Sequence, residues 1–143
     1  MNELLDHLDD ITIATFKDIS DAVVKFDPNS IDNEMVRQAS IYSYYHGMMV
    51  VAKRFANDKE TDLTRLMAKL RSGYKNSTTA KLTAKDLDDL VMADDSYNLA
   101  QNEVHEAIMK YELLKGLVRS LEQKKDMLQQ VSANRREETK LYK

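Results

Sequence analysis

One proline and three glycines are the only strong backbone breakers in a chain of 143 residues. A sandwich or a doubly wound sheet needs many turns, and turns are written largely with Gly, Pro, Asn and Asp. So few breakers leave an all-α fold as the expectation. The length suits one domain with a real hydrophobic core. The chain has no cysteine, which excludes a disulfide scaffold or a thiolate metal site and fits a reducing compartment. No window approaches eighteen consecutive apolar residues. The opening stretch MNELLDHLDD is acidic where a signal peptide needs a basic n-region and an apolar core. A soluble, cytoplasmic protein without a membrane span is expected.

Net charge is −3, which leans against nucleic acid, but the charge is segregated along the chain. Residues 1–34 hold nine acids against two bases, residues 35–85 ten bases against three acids, and residues 86–143 nine bases against twelve acids. The middle third is a cationic block inside an acidic protein, and such blocks mark interaction surfaces more than averages do.

Hydrophobic spacing divides the chain into helices. Phe16, Ile19, Val23 and Phe26 recur at three and four residues and predict a helix over 14–26. Asp27-Pro28-Asn29-Ser30 then breaks it, and Ser30 or Asp32 can cap the next helix. From 32 to 71 the stripe is Ile41, Tyr45, Met48, Ala52, Phe55, Leu63, Leu66 and Leu70. The polar gap at 57–62 reads either as a solvated stretch of one helix or as a turn. Residues 72–80, SGYKNSTTA, have loop composition, and Thr83 with Asp86 forms a capping-box pattern.

The last third carries the most regular stripe: Tyr97, Ala100, Val104, Ala107, Tyr111, Leu114, Val118, Leu121, Lys125 and Leu128, a heptad-like seam. Asp94 and Asp95 favour its start, and the charged tail from Arg135 is expected to fray. A helix over 94–131 would run roughly 57 Å, whereas a compact domain of this size has a radius of gyration of about 15 Å. The seam therefore outruns one protomer, and self-association is expected through Tyr97, Val104, Tyr111, Leu114, Val118, Leu121 and Leu128. This organisation gives an acidic helical extension at 1–30, a basic helical region and loop at 31–85, and C-terminal oligomerisation helices at 86–143.

Catalytic patterns are absent. His7, His46 and His105 are dispersed, with no metal-spacing motif. A Gly-rich phosphate loop cannot be built from glycines at 47, 73 and 116. Asp86, Asp88, Asp89, Asp94 and Asp95 read as helix-start acids. No enzyme activity and no cofactor or metal are expected.

The pointed signal is LTRLMAKLRSGYKNSTTAKLTAK at 63–85, which holds Arg65, Lys69, Arg71, Lys75, Lys81 and Lys85 and no acid. Cations for phosphates with Tyr74 as a stacking ring suit single-stranded nucleic acid. The plain alternative is a solvated basic face balanced by the acidic N-terminal segment. Lys53 and Arg54 read as surface charge. Tyr42, Tyr44, Tyr45, Met48 and Met49 sit at core spacing, which favours packing over base stacking.

In FKDISDAVVKFDPNSIDNE, ASIYSYYHG, LTRLMAKLRSGYKN and LTAKDLDDLVMADDSYNLAQNEV the chain resembles the UvsY-type recombination mediators of tailed phages, over about residues 16–135. The resemblance lies in pattern, length and order. It implies an all-helical, ring-forming oligomer, a hexamer or heptamer, that binds single-stranded DNA. Such a protein helps load a RecA-like recombinase onto strands coated by single-strand binding protein, in the host cytoplasm. The family pairs two basic residues two positions apart in its leucine-flanked segment. Here Lys69 takes the second position, Met67 the first, and Arg71 restores a pair further on. The fifteen-residue N-terminal extension and the acidic overall charge also depart from the family.

The leading expectation is thus a single-stranded-DNA-binding adaptor, with Arg65, Lys69, Arg71, Lys75 and Lys81 on phosphates and Tyr74 stacking. The alternative is a helical scaffold or protein-only adaptor with no DNA affinity. Acidic flanks would weaken the hold on a strand and ease its transfer.

Overall fold

The computed structural model describes residues 2–142, with side chains from Leu5 onward, and no strand occurs among the described residues. Helices α1 (Asn2–Leu8) and α2 (Ile13–Val24) lead through a short 3-10 turn at Pro28–Ser30 into α3 (Ile31–Asn76). Then come α4 (Ala84–Ala93) and α5 (Asp95–Leu141). Local chemistry explains the boundaries. Thr12 Oγ1 accepts from the Thr15 amide at 3.2 Å while Thr15 Oγ1 accepts from the Thr12 amide at 3.1 Å, a reciprocal cap for α2. Asp27 accepts from the Asn29 amide at 2.9 Å and Pro28 occupies the first position of the turn. Thr83 and Asp86 close the expected capping box on α4 at 3.0 and 3.1 Å.

The polar stretch at 57–62 is one continuous helix. Its hydroxyls turn back onto the helix, Thr61 Oγ1 donating to the Asn57 carbonyl at 3.0 Å and Thr64 Oγ1 to that of Glu60 at 3.1 Å. The helix also runs on through Asn76, so Ser72 to Lys75 are helical rather than looped. The helix formers before Gly73 carry it there, since that glycine costs only about 1 kcal/mol. The C-terminal tail is helical as well, through Leu141. Thr139 Oγ1 donates to the Arg135 carbonyl at 2.9 Å, Lys140 pairs with Glu137 at 3.5 Å, and Arg135 donates to the Pro28 carbonyl.

The chain forms two compact units, residues 1–52 with 110–143, and residues 53–109. In the first, Leu8, Ile11, Met48, Ala52 and Leu114 make the core, with Ile19, Tyr45 and Tyr111 packed on it. The α3 and α5 segments run antiparallel there: Gln38 Nε2 donates to the Leu121 carbonyl at 2.9 Å, and Lys124 pairs with Glu34 at 2.9 Å. In the second unit Ala56, Leu87, Val91, Val104 and Ala107 are buried, and Lys59 reaches Glu103 at 3.3 Å.

These units correct the argument for a second copy. Leu114, Val118, Leu121 and Leu128 are buried in the first unit and Val104 in the second, all within one chain, while Tyr97 and Tyr111 are half-buried. The expectation that the seam outruns one protomer rests on a 94–131 helix of roughly 57 Å set against a radius of gyration of about 15 Å. At 46 residues against 47, α3 matches α5 in length, and Met48 and Ala52 of α3 join Leu8 and Ile11 around Leu114. The register differs too: Lys124, not Lys125, is the buried lysine.

Candidate nucleic-acid interface

The basic block lies in the unit formed by residues 53–109, on the last turns of α3 and the loop to α4. The inner side of this stretch is apolar, with Leu63, Leu66 and Leu70 half-buried. The helical period that turns these leucines inward turns Arg65 and Lys69, four apart, outward together. Both are exposed, as are Lys75 in the last turn, Lys81 in the loop and Lys85 in the first turn of α4. Among the described residues, none of these five has an ion-pair or hydrogen-bond partner for its side chain. The C-terminal end of α3 is held shut locally: the Ser77 amide donates to the Gly73 carbonyl at 3.0 Å and Ser77 Oγ to the Tyr74 carbonyl at 3.1 Å. Lys75 beside these last carbonyls also suits the negative end of the helix dipole.

Arg71 and Tyr74 stand differently. Arg71 is ion-paired to Asp88 of α4. Tyr74 is half-buried and helical, and its hydroxyl donates to Asp94 Oδ2 at 2.5 Å. The hydrogen bond to the Asp94 carboxylate, with some desolvation, raises the Tyr74 pKa. Asp94 is in turn held below the ordinary carboxylate range, first by Ser96 and then by Tyr74. Its Oδ1 caps α5, accepting from the Ser96 amide at 2.9 Å and from Ser96 Oγ at 2.5 Å. Asp86 is lowered by its bonds from Thr83, the backbone amide first. The picture of Tyr74 as a free ring in a loop is therefore corrected: its hydroxyl is engaged and its backbone helical.

The acids that balance positive charge are not where the sequence placed them. Of the acids in the N-terminal segment, Glu34 pairs with Lys124 at 2.9 Å and Asp9 with Lys110 at 3.8 Å, both lysines of α5, and Asp21 with Lys25 at 3.5 Å. The basic block receives its in-chain counter-charge from α4 through Asp88. Sequence reasoning reads Asp88 and Asp94 as plain helix-start acids. Their pairing with residues seventeen and twenty positions earlier depends on how the hairpin closes, which leaves no local signature.

The tyrosine cluster lies in the unit of residues 1–52 and 110–143, where Tyr45 packs on the core and Tyr44 is exposed. Tyr42 donates to Glu122 at 3.1 Å and stacks on His46 at 5.7 Å between centroids. Tyr44 and Tyr45 meet edge to face at 5.0 Å, and Tyr44 hydrogen-bonds His7. Burial raises the Tyr45 pKa, with Tyr44 adding to the effect. A groove of about 570 Å³ in the same unit is lined by Met35, Tyr42 and Leu128 among others, and buried Gln38 in its wall keeps an Oε1 without a donor. Among the described residues no group of three His, Cys, Asp or Glu side chains could hold a metal ion. No helix among them is long and apolar enough to cross a membrane.

Comparison with protein-family models, with curated proteins and with solved structures finds no match for this chain.

Proposed function

We propose that the chain is a non-enzymatic adaptor that binds single-stranded DNA through α3 and the α3–α4 loop. On the resemblance to UvsY-type mediators, it would help load a RecA-like recombinase onto strands coated by single-strand binding protein. The observation that supports this reading best is the set of five exposed cations without partners, Arg65, Lys69, Lys75, Lys81 and Lys85. Exposed cations without partners occur elsewhere on the chain as well; what marks these five is that they crowd into residues 63–85, a stretch with no acid. Phosphates supply the acceptors that the chain does not. Binding would be electrostatic, with little base readout. Assembly into a ring belongs to the same proposal, and with the α5 seam buried it would use other surfaces.

Fluorescence anisotropy with a labelled oligo-dT at 25 and 200 mM salt tests strand binding. Five phosphate contacts give a log–log salt slope of about −3.5 on the usual 0.7 per contact. Arg65→Glu with Lys69→Glu should weaken low-salt binding at least tenfold. No binding at low salt, or binding indifferent to salt, refutes the reading and leaves a protein-only scaffold. Loading is read separately, as a shortened lag in strand-dependent ATP hydrolysis by a RecA-like recombinase on coated DNA. An unchanged lag removes the mediator role alone.

A further inference from the structure

We propose that α4 is an internal competitor for the strand: Asp88 occupies Arg71 and Asp94 occupies Tyr74 until nucleic acid displaces them. The inference rests on the strand-binding reading above. Arg71 and Tyr74 are three apart on α3 and so lie on one side of the helix, both engaged by acids that the loop at 77–83 brings over from α4 and its C-cap. They are also one of the two guanidiniums and the single aromatic ring of the basic segment, the side-chain types best suited to grip a phosphate and stack on a base. The five free cations surround that pair in sequence. A carboxylate on an arginine stands in for a phosphate, so α4 imitates part of the ligand.

The holds are built to be exchanged. The Arg71 and Asp88 side chains are 38% and 55% exposed, and ion pairs that wet contribute little. A phosphate takes over the guanidinium with two parallel hydrogen bonds, leaving Asp88 to water. Asp94 divides its oxygens: Oδ1 caps α5 through Ser96 while Oδ2 takes the Tyr74 hydroxyl. Releasing Tyr74 therefore leaves the helix cap intact. A strand would first be drawn to Arg65, Lys69 and Lys75 and then exchange with α4 for Arg71 and the ring. Such a site binds less tightly than its cation count allows and gives the strand up by the reverse exchange.

The test uses the full chain, labelled oligo-dT and four variants, Tyr74→Ala serving to remove the ring. Asp88→Ala removes the acid that holds Arg71. Asp89→Ala removes an equal charge from the next residue, which has no ion-pair partner among the described residues. Tyr74→Phe keeps the ring and removes the hydroxyl that Asp94 holds. Asp88→Ala should tighten low-salt binding three- to tenfold and steepen the salt slope by about 0.7, one further phosphate contact. Asp89→Ala should change affinity less than twofold with no change of slope. Tyr74→Phe should bind tighter than wild type and Tyr74→Ala weaker. If wild type binds with its salt dependence but Asp88→Ala matches Asp89→Ala and Tyr74→Phe matches wild type, the competitor is overturned and strand binding stands. If neither wild type nor Asp88→Ala binds at low salt, strand binding itself falls, and the competitor with it.

Discussion

Replacing Lys124 with Met should be among the most damaging single changes in the unit formed by residues 1–52 and 110–143. Lys124 is only 2% exposed. Its ammonium donates to the Val23 carbonyl at 2.7 Å and to Glu34 Oε2 at 2.9 Å. One buried charge thereby ties the end of α2 and the first turn of α3 to the middle of α5. Methionine keeps most of the packing volume, so the loss is electrostatic. It strands Glu34, whose side chain is 18% exposed, and removes the donor from a helix-end carbonyl. Breaking a buried pair from one side costs about 3–5 kcal/mol, and an orphaned carbonyl about 1–3 more where water cannot reach it. Two effects offset this: Glu34 keeps some water, and it sits in the first turn of α3, where the dipole favours an acid by about 0.3–1 kcal/mol. A net loss of about 3 kcal/mol is expected. Urea unfolding followed by circular dichroism at pH 7 would show it as a midpoint lowered by roughly 1.5 M, taking a slope near 2 kcal/mol/M. The pair Lys124→Met with Glu34→Leu should recover most of that loss, because replacing both charges by apolar groups is often neutral. A single variant costing under about 1 kcal/mol, or a double variant as unstable as the sum of its parts, would refute the argument.

Leu114→Ala, at a residue with no exposed surface, should cost about 2–5 kcal/mol in the same assay and leave the sedimentation coefficient of the folded protein unchanged. A shift in assembly at constant stability would show that the seam faces a second copy after all. Gly116→Ala should stabilise by about 0.8 kcal/mol, since a Cβ there meets nothing within 4 Å and alanine is the better helix former; a loss of stability would contradict this. Asp86 and Asp94 have folded pKa values below their unfolded ones. Their contribution is complete above the unfolded carboxylate pKa of about 3.9 and is lost as pH falls through the folded values. Helicity followed from pH 6 down to pH 2 should therefore give a shallower acid transition in Asp86→Asn than in wild type, and an identical one would count against the cap.

Helices were legible in the sequence because their signals are local. Phe16, Ile19 and Val23 name one face of α2, and Thr83 with Asp86 announces α4. Helix length was less legible. Asn57 to Asp62 and Ser72 to Lys75 have the composition of turns, and only the hydroxyl bonds of Thr61 and Thr64 back to the helix, with the tertiary packing, show that no turn is needed. The fate of the α5 seam was not legible either, because a radius of gyration for a compact domain does not show that Met48 and Ala52 of α3 share a core with Leu114. The cations of the candidate site were legible one by one. Their availability was not, because the pairing of Arg71 with Asp88 spans seventeen residues, and periodicity carries no information at that separation.

Charge segregation in sequence also misled about range. Residues 53–109 hold nine Lys and Arg against ten Asp and Glu, so the unit that carries the basic block has no net positive charge. At physiological salt the Debye length is about 8 Å, and beyond that distance a strand meets a nearly neutral surface. Attraction must then come from where the charges sit rather than from how many there are. The association rate with oligo-dT should accordingly depend only weakly on ionic strength, while the dissociation rate carries most of the salt slope. A strongly cationic binder shows the opposite, with steering that collapses as salt rises. Stopped-flow association and displacement at 25 and 200 mM salt separate the two cases. An association rate that falls by more than tenfold across that range would mean that the ten acids of residues 53–109 do not screen the block.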